Sequence, residues 1–108
     1  MPSYLVQVSY TSETLAAFIK HPQDRTEHIR KVAESLGGKL IGLWWAFGDY
    51  DTVVIADMPD DLSAAAVAVS VSAGGAAKSL KTTPLLSGAD GIAFLQKAKN
   101  SVYKPVKA

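Results

Sequence analysis

Residues 40–46 and 52–56 are apolar runs joined by Phe47-Gly48-Asp49-Tyr50-Asp51, and no other feature limits the fold of this chain as much. Both runs have the β-branched and aromatic character of strands, and Gly48 supplies the positive φ that a tight turn demands, so the segment reads as a β-hairpin. With Gly48-Asp49 as a two-residue turn, Phe47 pairs with Tyr50, Ala46 with Asp51 and Trp45 with Thr52. One face then carries Ile41, Leu43, Trp45, Phe47, Tyr50 and Val54. The other carries Leu40, Gly42, Trp44, Ala46, Asp51, Val53 and Ile55. A slip of one residue exchanges the faces of a strand. In either register the hairpin is apolar on both sides, and one small domain cannot easily cover both.

The flanking segments supply partners. Tyr4, Val6, Val8 and Tyr10 alternate with Leu5, Gln7 and Ser9, which predicts a strand over residues 4–10. Thr11 or Ser12 caps a short helix with Leu15, Phe18 and Ile19 at helical spacing, ended by His21-Pro22. Asp24-Arg25-Thr26-Glu27 has capping-box form, and Ile29, Val32, Ala33 and Leu36 form the stripe of the helix that follows, stopped at Gly37-Gly38. Beyond the hairpin, Pro59-Asp60-Asp61 suits a helix start. Residues 62–73 read as an Ala-rich helix with Leu62, Ala65, Ala66, Val69 and Ala73 inward, although Val67, Val69 and Val71 alternate as in a strand. Residues 78–85 form a fourth strand, whose Pro84 marks an end or an unpaired edge. Ser87-Gly88-Ala89-Asp90 opens a last helix through Ile92, Phe94 and Leu95, and residues 100–108 form a basic, frayed tail.

This order is α+β: the ferredoxin-like βαββαβ pattern with an added C-terminal helix, as a single domain over residues 1–108. Right-handed crossovers put the helices on one side of a four-stranded sheet and leave the other side bare. That side carries either the Trp44 set or the Trp45 set, and an apolar area of that size is uncommon on a monomer. Burying several hundred Å² at about 25 cal/mol per Å² competes with an association cost of roughly 4–15 kcal/mol. The expected partner is therefore a second copy, joined sheet to sheet.

Composition narrows the function classes. A formal net charge of +1 gives no case for nucleic acid or an acidic membrane. The chain has no cysteine, which excludes disulfides, thiolate metal sites and Cys nucleophiles and suits a reducing cytoplasm. No signal-peptide pattern precedes residue 4, and no apolar run approaches the ~20 residues of a membrane span.

Few residues invite a chemical role. Arg25 starts a helix beside its inward stripe, where a cation opposes the helix dipole; it suits a substrate carboxylate, an ion pair with Asp51, or a surface position. Tyr50 and Asp51 are either a hydrogen-bonding pocket edge or structural, with Tyr50 against Phe47 and Asp51 tying down backbone amides. Small neighbours Gly42 and Ala46 favour the Trp44 face for a pocket. His28 follows Asp24 by four residues, the spacing of a local ion pair, and His21 sits in a connection. Asp57, Asp60 and Asp61 are explained by capping, and no metal site is expected.

Within residues 4–97, four blocks stand in order between positions 34 and 86: Glu34-Ser35-Leu36-Gly37-Gly38-Lys39-Leu40, then Ala46-Phe47-Gly48-Asp49-Tyr50-Asp51, then Pro59-Asp60-Asp61, then Lys81-Thr82-Thr83-Pro84-Leu85-Leu86. In these blocks the chain resembles the GYD family, named for a Gly-x-Tyr-Asp hairpin, here Gly48, Tyr50 and Asp51. The resemblance implies a small bacterial or archaeal protein of the dimeric α/β-barrel type and no particular activity. Similar folds house cofactor-free oxygenases, isomerases and dehydratases as well as regulatory ligand-binding modules, and transfer of any of these rests on fold alone. The expectation is a cytoplasmic homodimer that binds a small molecule between sheet and helices without a cofactor, with Arg25, Trp44, Tyr50 and Asp51 as candidate ligand-binding residues. Two alternatives remain. One is a cofactor-free enzyme on a small aromatic or carboxylic substrate, with Arg25 holding the anion and Tyr50 or Asp51 moving a proton. The other is an assembly module without ligand.

Overall fold

Strand β1 (Ser3–Tyr10) is the spine of the structure, a computed structural model that describes residues 1–107. It pairs antiparallel with β3 (Thr52–Asp57) on one side and with β4 (Ala77–Leu85) on the other. β2 (Lys39–Trp45) joins the outer edge of β3, giving the antiparallel order β2-β3-β1-β4. Helices α1 (Ser12–Lys20) and α2 (Thr26–Ser35) connect β1 to β2, α3 (Asp61–Ala73) connects β3 to β4, and α4 (Gly88–Lys99) follows β4. The result is a small α+β fold with a four-stranded antiparallel sheet and four helices, compatible with the ferredoxin-like pattern. Of the tail expected to fray, residues 101–107 are in neither helix nor strand, and Ala108 lies outside the described residues.

The register of the hairpin agrees with the sequence reading near the turn and departs from it further away. Trp45 pairs with Thr52, Trp44 with Val53 and Leu43 with Val54. The strands stop at Trp45 and Thr52, and the Ala46 N–H donates to the Asp51 carbonyl at 2.8 Å. Residues 47–50 thus form a wider loop in place of the two-residue turn, and Phe47 is fully exposed with no strand partner in Tyr50. Between Leu40 and Gly42 the register shifts by a bulge at Ile41, so that Leu40 pairs with Ala56. An inserted residue reverses the alternation. Leu40 therefore shares a face with Leu43 and Trp45 instead of with Trp44. This face also carries the buried Tyr4, Val6, Val8, Thr52, Val54 and Ala56, and it is the one the helices cover.

The opposite face carries Leu5, Val53 and Ile55, half-buried, and Trp44 at 51% exposure. A Cβ added at Gly42 would lie 2.6 Å from the Trp44 ring, so the indole lies across the space that glycine leaves open. Toward β4 this face turns polar through Gln7, Lys81 and Thr83, which lie in the same rows.

The helix starts follow capping chemistry. The Thr11 hydroxyl accepts from the Thr14 N–H, and Ser87 and Asp90 form the expected capping box on α4. At α2 the expected box does not form. The Asp24 carboxylate accepts from the Thr26 N–H at 2.9 Å and from its hydroxyl, an Asx-type turn one residue early that leaves Arg25 at the cap position. These bonds, led by the hydroxyl, hold the Asp24 carboxyl below its ordinary range. At α3, Asp60 caps the Ser63 N–H at 2.8 Å. The inward stripe of α3 is Ala64, Val67 and Val71, while Leu62 and Val69 point outward at 83% and 68% exposure, contrary to the predicted stripe. The helix is apolar all round, so periodicity carries little phase information; the anchor is Asp61, whose carboxylate accepts from the Tyr4 hydroxyl at 2.6 Å.

That hydrogen bond, then burial, then the charges of Asp61 and Asp60 push the Tyr4 phenol up to about 12 from its usual 10.0. Since the folded state holds the proton more tightly, its contribution is complete below pH 10 and declines as pH rises toward about 12. Urea titrations across this range are expected to show a stability loss that Tyr4→Phe makes shallower.

α4 stands apart. It contains no buried residue, none of the principal element pairings involves it, and Ile92 and Leu95 are more than 60% exposed. The radius of gyration of 17.3 Å exceeds the ~13 Å of a compact chain of this length, and the longest axis is 56 Å.

Candidate functional site

The helix layer does not close on the sheet. Between them lies a cavity of about 390 Å³, within the size class of small-molecule sites. Its floor is the buried face of the sheet, including Val6, Val8, Leu40, Val54 and Ala56. The helices meet it with alanines, Ala17 from α1, Ala33 from α2 and Ala64 from α3, set among larger residues such as Phe18, Ile29 and Val67. Alanine at these positions leaves unfilled the volume that a leucine would occupy. Tyr10 and Phe18 close one end, with ring centroids 5.3 Å apart, and Trp45 packs against both, tilted on Tyr10 at 5.8 Å and edge-on to Phe18 at 5.2 Å. The Tyr10 hydroxyl accepts from the Thr52 hydroxyl at 2.9 Å, which satisfies that buried side chain.

The mouth is polar. Gln23, Arg25 and His28 line it from the start of α2, and Ser70 lines it from α3; all four are exposed. No aspartate or glutamate is among the lining residues. The ion pair expected between Asp24 and His28 is not formed. Among the described residues the one salt bridge joins Arg30 and Glu27 at 3.1 Å, while Asp24 is engaged by Thr26. No group of three or more potential metal ligands occurs among the described residues.

The four residues singled out from the sequence do not converge. Arg25 lines the cavity, whereas Trp44, Tyr50 and Asp51 do not. Trp44 lies on the opposite face of the sheet. The Asp51 carboxylate accepts from the Tyr10 N–H at 2.8 Å, and the Asp51 N–H donates to the Val8 carbonyl at 2.8 Å. Asp51 thus laces the hairpin to β1. His28 and Gln23 were not singled out for the site. The available signal for His28 was spacing: it lies three residues after Arg25 and four before Val32, on the inward side of α2.

Fold and cavity together place the molecule among small α+β domains with a pocket between an antiparallel sheet and its helices. More narrowly, the GYD domain matches residues 4–95, and the chain belongs to the GYD domain family. A similar solved structure is the crystal structure of the Mycobacterium protein MtbAldR, with a TM-score of 0.52 and 13% sequence identity over 80% of this chain. The match covers 52% of that protein, so the chain spans about half its length, and the likeness is one of fold. No curated protein matches the chain. No helix among the described residues is long and apolar enough to cross a membrane.

Proposed function

We propose that this protein binds a small molecule in the cavity between its sheet and helices, and does so as a homodimer of the dimeric α/β-barrel type. The cavity carries the reading: about 390 Å³ of space over a largely apolar floor, with its one charged group, Arg25, at the rim beside Gln23 and His28. An interior of this kind departs from the close packing of a purely structural core, which favours binding over an assembly module. The groups that an enzymatic reading needs for proton transfer, Tyr50 and Asp51, lie outside the lining, which favours binding over catalysis by them. Titration of labelled protein with 3-phenylpropanol, followed by NMR, tests the cavity. The expected result is shifts concentrated at Val8, Ala33 and Val54; shifts absent or scattered over the surface overturn the reading.

Self-association is supported by the uncovered face, where Trp44, Val53, Ile55 and Leu5 form an apolar patch that α4 does not roof. Light scattering at micromolar concentration is expected to give twice the 11.4 kDa chain mass, and Trp44→Lys is expected to return the single-chain mass. A monomeric wild type removes the pairing.

A further inference from the structure

We infer that the ligand is an apolar organic anion, a carboxylate with an aromatic or aliphatic body, held at the cavity mouth by Arg25 and His28. The inference rests on the cavity reading above and adds the chemical class of the occupant. Its basis is the charge of the lining. The chain carries ten acidic residues, and none of them lines the cavity. The cavity's fixed charge is therefore positive, from Arg25, with His28 beside it as a donor from at least one ring nitrogen in either protonation state.

Neither group is spent elsewhere. The single ion pair among the described residues is Arg30 with Glu27, and neither Arg25 nor His28 takes part in a side-chain hydrogen bond there. The nearest acid in the chain, Asp24, is committed to the Thr26 amide and hydroxyl. A guanidinium offers a planar fork suited to two carboxylate oxygens. Gln23 lies at the same rim, its amide donating one N–H to the His21 carbonyl at 3.2 Å and keeping a second. Below the rim the walls are mostly apolar, with Tyr10 and Phe18 at one end, and the Tyr4, Thr14 and Thr52 hydroxyls there already donate to Asp61, the Ala76 carbonyl and Tyr10. A ligand that satisfies both parts has one anionic head and an apolar body. The cavity of about 390 Å³ falls in the size range of small-molecule sites. A dianion or a sugar would leave polar groups against Val8, Val54 and Ala56, which offer no side-chain hydrogen-bonding partner.

The test compares three probes that share one body: 3-phenylpropionate, 3-phenylpropanol and 3-phenylpropylamine, titrated calorimetrically into the full chain. The acid is expected to bind at least about tenfold more tightly than the alcohol, the increment of a charge-assisted hydrogen bond, and the amine more weakly than both. In the double variant Arg25→Gln with His28→Gln the acid is expected to fall to the alcohol's affinity while the alcohol is unchanged. Both residues are exposed, so the variant is expected to keep the wild-type melting temperature. If the alcohol binds and the acid binds no better, the anion class is overturned while the cavity reading stands. If no probe binds, the cavity reading fails and this inference with it. An acid preference that survives the double variant overturns the assignment to Arg25 and His28.

Discussion

Replacing Gly38 by alanine is expected to lower the melting temperature by several degrees at least. Gly38 lies where the chain leaves α2 for β2, and its N–H donates to the Ala33 carbonyl at 2.8 Å in the helix-ending turn. A Cβ at this position would lie 2.6 Å from the Asp57 carbonyl oxygen and would also collide with the Met58 sulfur. The sulfur belongs to a side chain that is only 2% exposed, so it has little room to retreat, and the carbonyl is fixed in the sheet. Overpacking of this kind costs about 1–3 kcal/mol, and each kcal/mol moves the midpoint of a domain this size by roughly 4–8 °C. Gly88→Ala is the matching control, because nothing lies within 4 Å of its added Cβ. Thermal unfolding followed by circular dichroism separates the two. Equal midpoints would show that the β2–β3 approach yields without cost.

The second large effect is expected at Asp51. Its side chain is the hydrogen-bond acceptor for the Tyr10 N–H at the end of the β1 ladder. Asp51→Ala leaves that half-buried donor unpaired, at a cost of about 1–3 kcal/mol. Asp51→Asn keeps an oxygen at the same position and is expected to retain most of the stability. Denaturant titration of both variants distinguishes a backbone clamp from a residue kept for acid–base chemistry. Stability unchanged in Asp51→Ala would remove the clamp. On this account the glycine and the aspartate of the Gly-x-Tyr-Asp signature belong to chain geometry: Gly48 adopts φ +127° in the loop and Asp51 fastens the loop to the neighbouring strand.

Much of this fold could be read from local chemistry. Alternation placed Tyr4, Val6 and Val8 on one side of β1, and the polar residues at Thr11, Asp60 and Ser87 marked helix starts. The pairing of Trp45 with Thr52 followed from where the loop is centred. The bulge at Ile41 was not readable in the same way. It adds one residue without changing composition, and its one trace was a glycine inside a strand, at Gly42. Because the bulge reverses the alternation, simple period-two counting groups Leu40 with the wrong tryptophan; the small neighbours that favour the Trp44 face for a pocket have another use at Gly42, whose space the Trp44 ring itself takes. The phase of α3 was hidden for another reason: alanine and valine on every side leave no polar face to mark the outside. The cavity itself had a trace in the sequence. Alanines at 17, 33 and 64 are among its lining residues, one from each helix that covers the sheet. Arg25 was identifiable because a cation at a helix start has no local electrostatic reason to be there. His28 was discounted by a neighbouring acid that the fold directs to Thr26.

α4 has a thermodynamic consequence of its own. A helix of 12 residues with no buried side chain and no principal pairing to another element depends mainly on capping and backbone bonds, and such segments sit close to the balance point between helix and coil. With no buried side chain, its opening exposes less apolar surface than opening of the sheet, so it is expected to add little to the heat-capacity change of unfolding. Amide exchange in residues 88–99 is therefore expected to run faster than in β1, on a clock of its own.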